Sequence, residues 1–320
     1  MSRKLIGLGL VLVVLGPALA NAGVGPVGWW KLDEKTGTTA ADSSRNRNHG
    51  TIMGGAAPTQ GQLDGGILFD GTDDYVALPI GGIINTLGSS TFTVWANYSQ
   101  AGGAWQRIFD IGTGEAVNMF LTPAIGGSNT GVMRFAITTG GSGAESQLSA
   151  AERLATGWHH ISVVIDGDAM SMAMYLDGTS IVTAATAHVP KDLGTTTQNW
   201  LGRSEYGADA YYSGSLDDFR IYDRALTVAE IADVMGGGLT GKAAGVPDPA
   251  HGATDVPREM DLAWTPGELA ATHDVYLGTS QDEVKNASTA DPAGVLVSQS
   301  QEASSFDPGR LELGQTYYWR

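Results

Sequence analysis

The chain has 320 residues, with 34 acidic against 18 basic side chains, a formal charge of −16 at pH 7, 45 glycines and no cysteine. An acidic surface argues against a nucleic-acid partner, which would be repelled. The missing cysteines exclude disulfides, thiolate metal sites and thiol nucleophiles, while 42% hydrophobic residues suit a folded chain rather than a disordered one.

Residues 1–22 read as a cleavable leader. Arg3 and Lys4 precede the apolar run Leu5 to Leu15, and Ala20-Asn21-Ala22 offers the small-x-small pattern of a signal-peptidase site. No later stretch approaches the ~20 apolar residues of a membrane-spanning helix. The expected location is therefore outside the cell, secreted or at the cell surface.

Short alternating runs between turn signals then predict an all-β chain. Trp30 and Leu32 alternate with Lys31 and Asp33. Ile67 and Phe69 lead into the Gly71-Thr72-Asp73-Asp74 turn, and Tyr75 to Leu78 follow it. Thr91 to Ala96, Arg107 to Ile111 and Val132 to Ile137 continue the pattern. The centre predicts a meander of Trp158–Ile165, Met170–Leu176 and Thr179–Thr183, its second hairpin closed by Asp177-Gly178. A period of two puts His159 with Ile161, Val163 and Ile165 on the inward face, and His160 opposite. Met170, Met172, Met174 and Leu176 form one apolar stripe.

One helix is expected over Val228–Met235. Thr227 and Glu230 make a capping box, Leu226 and Ile231 a hydrophobic staple, and Gly236 the stop. Residues 237–245 read as a Gly-rich linker. A second unit over 246–320 contains strand-like runs at Met260–Trp264, His273–Gly278 and Thr316–Arg320.

Several motifs in order carry a family resemblance. They are Trp30-Lys31-Leu32-Asp33-Glu34, Asp42-Ser43-Ser44-Arg45-Asn46-Arg47-Asn48-His49-Gly50, Leu68-Phe69-Asp70-Gly71-Thr72-Asp73-Asp74-Tyr75-Val76, Trp158-His159-His160, Tyr175-Leu176-Asp177-Gly178 and Gly214-Ser215-Leu216-Asp217-Asp218-Phe219-Arg220-Ile221-Tyr222. Residues 25–236 thereby resemble the LamG-like jelly rolls of the concanavalin A-like lectin and glucanase superfamily. The resemblance implies an antiparallel jelly-roll β-sandwich. Residues 246–320, through Pro249 to Pro257, Leu262-Ala263-Trp264, Asp274 to Gly278 and Leu313 to Arg320, resemble a fibronectin type III-like module of the immunoglobulin-like sandwich class. Such a module has a further strand after the Tyr-rich one, so the chain reads as part of a longer protein.

Asp and Asn on Gly-punctuated loops can supply the six to eight oxygens that calcium takes. The resemblance joins the two loops, making Asp42, Asn46, Asn48, Asp217 and Asp218 candidate calcium ligands. The alternative is that Asp42 and Asn48 serve their own turn and that Asp217 accepts loop amides. For carbohydrate or a glycosylated surface, Trp105, Tyr206, Tyr211 and Tyr212 stand in Gly-rich, loop-like stretches where aromatic faces can stack on sugar rings. No catalytic residue is expected. The superfamily's glucanases carry a Glu-x-Asp-x-Glu run, and the nearest approach is Glu259-Met260-Asp261, without the last acid. Three readings follow: a non-catalytic binding module, a spacer domain, or a polysaccharide hydrolase.

Overall fold

The computed structural model describes residues 11–14, 25–44, 46–126, 131–238, 245–266, 272–287, 289 and 292–320. Strands account for 40% of the chain and helices for 9%. The chain divides into two compact units: Pro26–Leu239, and a second formed by Met1–Gly25 with Thr240–Arg320.

Two antiparallel sheets build the Pro26–Leu239 unit. One runs edge to edge through Ser146–Ser149, Arg134–Thr138, Asn118–Thr122, Phe109–Gly112, Gln198–Leu201, Tyr75–Ala77, Gly50–Met53 and Thr39–Ala40. The other runs through Thr179–Ala185, Ser171–Leu176, Trp158–Asp166, Ser90–Tyr98, Ser213–Tyr222, Gly65–Asp70 and Ala57–Gln60, with Gly28–Trp30 also paired to Ser213–Tyr222. Alternation decides what each strand buries. Phe109, Ile111, Met119, Leu121, Phe135 and Ile137 from the first sheet meet Phe92, Val94, Ile161, Val163, Phe219 and Ile221 from the second in one core. Trp30 is fully enclosed there and stacks on Phe219 with ring centroids 5.8 Å apart. Truncating so large a buried ring costs about 3–5 kcal/mol.

The expected meander is observed as Trp158–Asp166, Ser171–Leu176 and Thr179–Ala185. Its Met stripe is shorter than expected. Met172 and Met174 are buried, but Met170 takes a left-handed φ of 48° in the turn and is exposed. The two histidines also differ from expectation. His159 is half-buried and pairs with Asp177 at 2.8 Å, whereas His160, on the outward face, has no exposed surface. Parts of that face are themselves covered. Val164 packs with Tyr222, Leu226, Ile231 and Val234 from the last strand and the helix, and Arg220 reaches the Gly238 carbonyl at 2.7 Å.

The helix spans Val228–Met235. The Thr227 hydroxyl accepts from the Glu230 N–H at 3.3 Å, and the Thr227 N–H donates to the Glu230 carboxylate at 2.8 Å. Gly237, not Gly236, supplies the left-handed stop, with φ 78°. Residues 239–244 of the expected linker lie outside the described residues.

The second unit has small sheets of its own. Gly245–Asp248, Leu262–Thr265 and Ser305–Phe306 form one, and Leu296–Gln301, His273–Gly278 and Thr316–Trp319 another. Trp264 and Trp319 meet in its core with Val256, Leu262, Val275 and Leu311. Within the expected leader the description covers Val11–Val14, which lies parallel to Thr316–Trp319.

Candidate functional site

The two acidic loops do converge, and Trp29 is where they meet. Its backbone N–H donates to Asp42 Oδ1 at 3.0 Å and its indole N–H to Asp218 Oδ1 at 2.7 Å. Asp42 also accepts from Ser44 N–H at 2.8 Å and from Asn48 N–H at 2.7 Å, so both of its oxygens hold loop amides. The Asn46 side-chain amide donates to Val27 O at 2.8 Å, and Asn48 O accepts from the Trp30 indole at 3.1 Å. Asp218 forms a buried ion pair with Arg220, 2.7 Å from Oδ2, and accepts the Arg220 Nε–H on Oδ1 at 3.0 Å. Asp42 thus serves its own turn, as in the alternative reading, while Asp218 is held by the Trp29 indole and the Arg220 ion pair.

Asp217 differs from its neighbour. A bulge in the last strand, with Asp218 at φ 53°, lets both adjacent carboxylates leave the strand into buried surroundings. Asp217 Oδ2 accepts from Gln62 N–H at 2.8 Å and Leu63 N–H at 2.7 Å. Its Oδ1 is buried without a hydrogen-bond partner. Burial is the main cause that pushes the carboxyl up to about 7, with Asp218 and Asp33 adding repulsion.

The aromatic candidates separate into three environments. Tyr212 is corrected outright: it has no exposed surface and lies between Tyr98 and Phe69 in the core, because alternation along 211–213 turns it inward. Tyr211 points the other way, half-buried against Tyr75. Trp105 and Tyr206 come together around a residue not singled out from the sequence, Arg107. That guanidinium lies 4.1 Å from the Phe120 ring centroid, 5.7 Å from Trp105 and 5.9 Å from Tyr206. It is 2% exposed and pairs with Asp110 at 3.2 Å and Asp209 at 3.0 Å, while donating to the Trp105 carbonyl at 2.6 Å. One cation therefore locks the two loops, 99–108 and 202–212, onto the outer face of the first sheet.

The sheet beneath explains the placement. Trp200, Asp110, Phe120 and Ala136 stand opposite one another across four strands, on the face turned away from the core. Asp110 is fully buried there and accepts from Asn118 at 3.3 Å and from Glu205 N–H at 3.1 Å. Burial lifts its carboxyl to about 6 against the pull of Arg107. Glu205 is pushed up to about 8 by burial and by Asp110, so it is largely protonated at neutral pH. The rim around Trp105 also carries Arg134, 5.8 Å from the ring, and Tyr206, whose hydroxyl donates to Glu115 O at 3.0 Å.

The half-buried rings of Trp105 and Tyr206 are the aromatic faces this arrangement offers, and its acids differ in exposure. Asp110, enclosed and engaged by Arg107 and Asn118, cannot touch a substrate. Glu259, in the other unit, is an exposed residue paired with Arg310 at 3.4 Å. The Asp70, Asp73 and Asp74 carboxylates approach within 4.8 Å of one another at the surface hairpin, where Asp70 caps Thr72 N–H and Asp74 caps Asp70 N–H.

Comparison with known proteins adds the family. A model described as the concanavalin A-like lectin/glucanases superfamily matches residues 70–232, half of the chain. An alpha-L-arabinofuranosidase of Bifidobacterium longum subsp. longum is 31% identical over 84 residues, 26% of this chain and 8% of that enzyme, so the chain spans under a tenth of that relative. Domain 4 of AbnA, a GH43 extracellular arabinanase from Geobacillus stearothermophilus solved in complex with arabinotriose, superposes with a TM-score of 0.54 at 18% identity, covering 67% of this chain and 100% of that domain. The binding domain of botulinum neurotoxin DC, solved with rat synaptotagmin II, gives 0.52 at 12% identity, covering 79% of this chain and 57% of that one. At these identities the structural likeness is one of fold. Together with the family match and the two facing antiparallel sheets, it shows that this chain belongs to the concanavalin A-like lectin/glucanases superfamily.

Proposed function

We propose that the Pro26–Leu239 unit is a non-catalytic carbohydrate-binding module of a larger exported protein. The observation that carries this reading is the pair of half-buried rings, Trp105 and Tyr206, clamped by the buried Arg107 on the outer sheet face. A rigid aromatic loses little entropy on stacking against a sugar, and loop amides beside it serve the hydroxyls. The arabinanase domain and the arabinofuranosidase make arabinotriose and arabinan the first probes, within a wider glycan array. Binding is expected to be lost in Trp105→Ala and weakened in Tyr206→Ala. If no glycan binds, the unit is a spacer instead; if both variants bind as the parent does, the sugar site is not at Trp105 and Tyr206. Reducing-sugar release by the purified protein would favour the hydrolase reading.

Export rests on the leader pattern of residues 1–22, and N-terminal sequencing of the secreted chain tests it. The second unit is read as fibronectin type III-like on its paired small sheets around Trp264 and Trp319.

The calcium expectation narrows to Asp217 in this reading. Asp42 has both oxygens on loop amides, and Asp218 is held in its ion pair with Arg220. Asp217 Oδ1 does fit: it is a buried carboxylate oxygen without a partner, with Asp33 close enough to repel it. Asp217 and Asp33 would hold the ion, and it would fix the 61–65 loop to the last strand. Saturating calcium should raise the melting midpoint of the parent, by about 2.7 kcal/mol of stability at a hundredfold excess over Kd. An unchanged midpoint, or an equal rise in Asp217→Ala, sinks the assignment.

A further inference from the structure

Beside the Trp105 rim, the same sheet face carries a second aromatic cluster with a different charge environment. Arg203 lies 4.2 Å from the Trp200 ring centroid, 4.8 Å from Tyr75 and 6.0 Å from Tyr211. Tyr75 also meets Trp200 edge-on at 6.2 Å and Tyr211 at 6.3 Å, so the three rings form one platform. All four side chains are half-buried rather than enclosed. Trp200 stands directly opposite Asp110 in the sheet, one strand away from the Arg107 clamp, which makes the platform continuous with the proposed sugar site.

The cation's partners set this cluster apart. Arg107, Arg220 and Arg224 are each neutralised by carboxylates. Arg203 lies near three rings and, among the described residues, has neither an ion pair nor a hydrogen-bond acceptor. Cation–π contacts use none of the five guanidinium N–H donors as conventional hydrogen bonds, and an N–H fork matches a carboxylate in two parallel hydrogen bonds. Aromatic rings around it exclude water and strengthen such a bond. The acidic balance of the chain does not oppose this, because repulsion from distant charges is screened beyond about 8 Å at physiological salt. It does mean that attraction has to be local.

We propose that Arg203, on the Tyr75–Trp200–Tyr211 platform, selects an acidic sugar by its carboxylate, at a subsite adjoining Trp105 and Tyr206. This rests on the carbohydrate-binding reading and names the ligand class within it. A uronate and a sialic acid share the required group, a carboxylate borne on a sugar ring.

The test uses the full chain at physiological salt and isothermal titration with four probes: trigalacturonate, sialyllactose, and the methyl ester of each. The ester keeps the shape and removes the charge. For at least one pair, the acid should bind about tenfold or more tighter than its ester, the size of a charge-assisted hydrogen bond. Arg203→Ala should erase that difference, while Arg203→Lys keeps part of it. Trp105→Ala should weaken acid and ester alike. Equal binding of acid and ester by the parent overturns the proposal and leaves the carbohydrate-binding reading standing; so does an acid preference that survives Arg203→Ala. Absence of binding to these and to every neutral glycan overturns both. The acid-versus-ester comparison on the parent chain holds even if a variant fails to fold.

Discussion

Trp29 donates its indole N–H to Asp218 Oδ1 at 2.7 Å, joining the first strand of the jelly roll to its last across 189 positions. Asp218 in turn neutralises Arg220, whose guanidinium lies 4.7 Å from the Trp29 ring centroid. All three side chains are buried, and Arg220 also donates to the Gly238 carbonyl at 2.7 Å. Such a pair adds little if replaced whole by apolar groups, but breaking it strands a buried charge.

Asp218→Asn should therefore be costly even though Asn tolerates the left-handed backbone there. Loss of about 3–5 kcal/mol is expected in chemical denaturation, since Arg220 is left buried and unpaired. Adding Arg220→Met to the same chain should recover part of it. A single variant as stable as the parent would show that Arg220 finds water.

Arg107→Met tests the clamp. It removes the partner of two acids, one of them fully buried, and unpins both loops. Expected are a destabilisation of about 3–5 kcal/mol and loss of glycan binding, with stability partly regained on adding Asp110→Asn. Binding should not return with it, because Trp105 would still lack the cation that holds its carbonyl. Stability and binding that recover together would contradict this division of roles.

Glu205 makes neutral pH unfavourable for the fold. Its carboxyl titrates near the ordinary 4.5 when unfolded and at about 8 when folded. Between those values the folded chain keeps a proton that the unfolded chain has released. Its contribution is thus best below pH 4.5, is lost as pH rises towards 8, and is level above. Glu205→Gln should flatten the fall in melting midpoint between pH 5 and pH 8.5 relative to the parent. Parallel curves for the two proteins would disprove the assignment.

Much of this architecture was legible because it depends on local rules. Thr227, Glu230, Leu226 and Ile231 define a helix by spacing alone, and Asp177-Gly178 defines a hairpin. Both are found where the residues require them. Tyr212 could not be separated from Tyr211 in the same way, since a loop of unknown conformation gives no phase for alternation. Arg107 and Asp110 do leave a signal in the sequence: two opposite charges within a run that otherwise reads as a core strand. Charges in such a run need each other or a ligand, and here they found each other. Arg203 left none, because its partners are rings contributed by three separate segments. Trp200 lies only three residues away, but Tyr75 arrives through sheet pairing and Tyr211 through a loop.

His160 carries the last prediction. It is buried beside Trp95, with ring centroids 5.3 Å apart, and burial together with Arg220 lowers its pKa to about 4, while Asp177 acts weakly in the other direction. Ser162 Oγ, 3.5 Å from Nδ1, is its one hydrogen-bonding contact from the same strand. Unfolding exposes an imidazole that binds a proton near pH 6.5. The unfolded state therefore takes up a proton between pH 6.5 and 4 that the folded state refuses, and the contribution of His160 to stability falls across that window as the solution is acidified. The shift corresponds to about 3 kcal/mol. Glu205, Asp217 and Asp110 act oppositely in the same window, so in the parent the loss from His160 appears as a shallower gain in stability on acidification. His160→Gln, neutral at every pH, should make stability rise more steeply than in the parent as pH falls from 6.5 to 4 in urea titrations, while leaving the fall on the alkaline side. An acid limb unchanged in this variant would assign it to other groups.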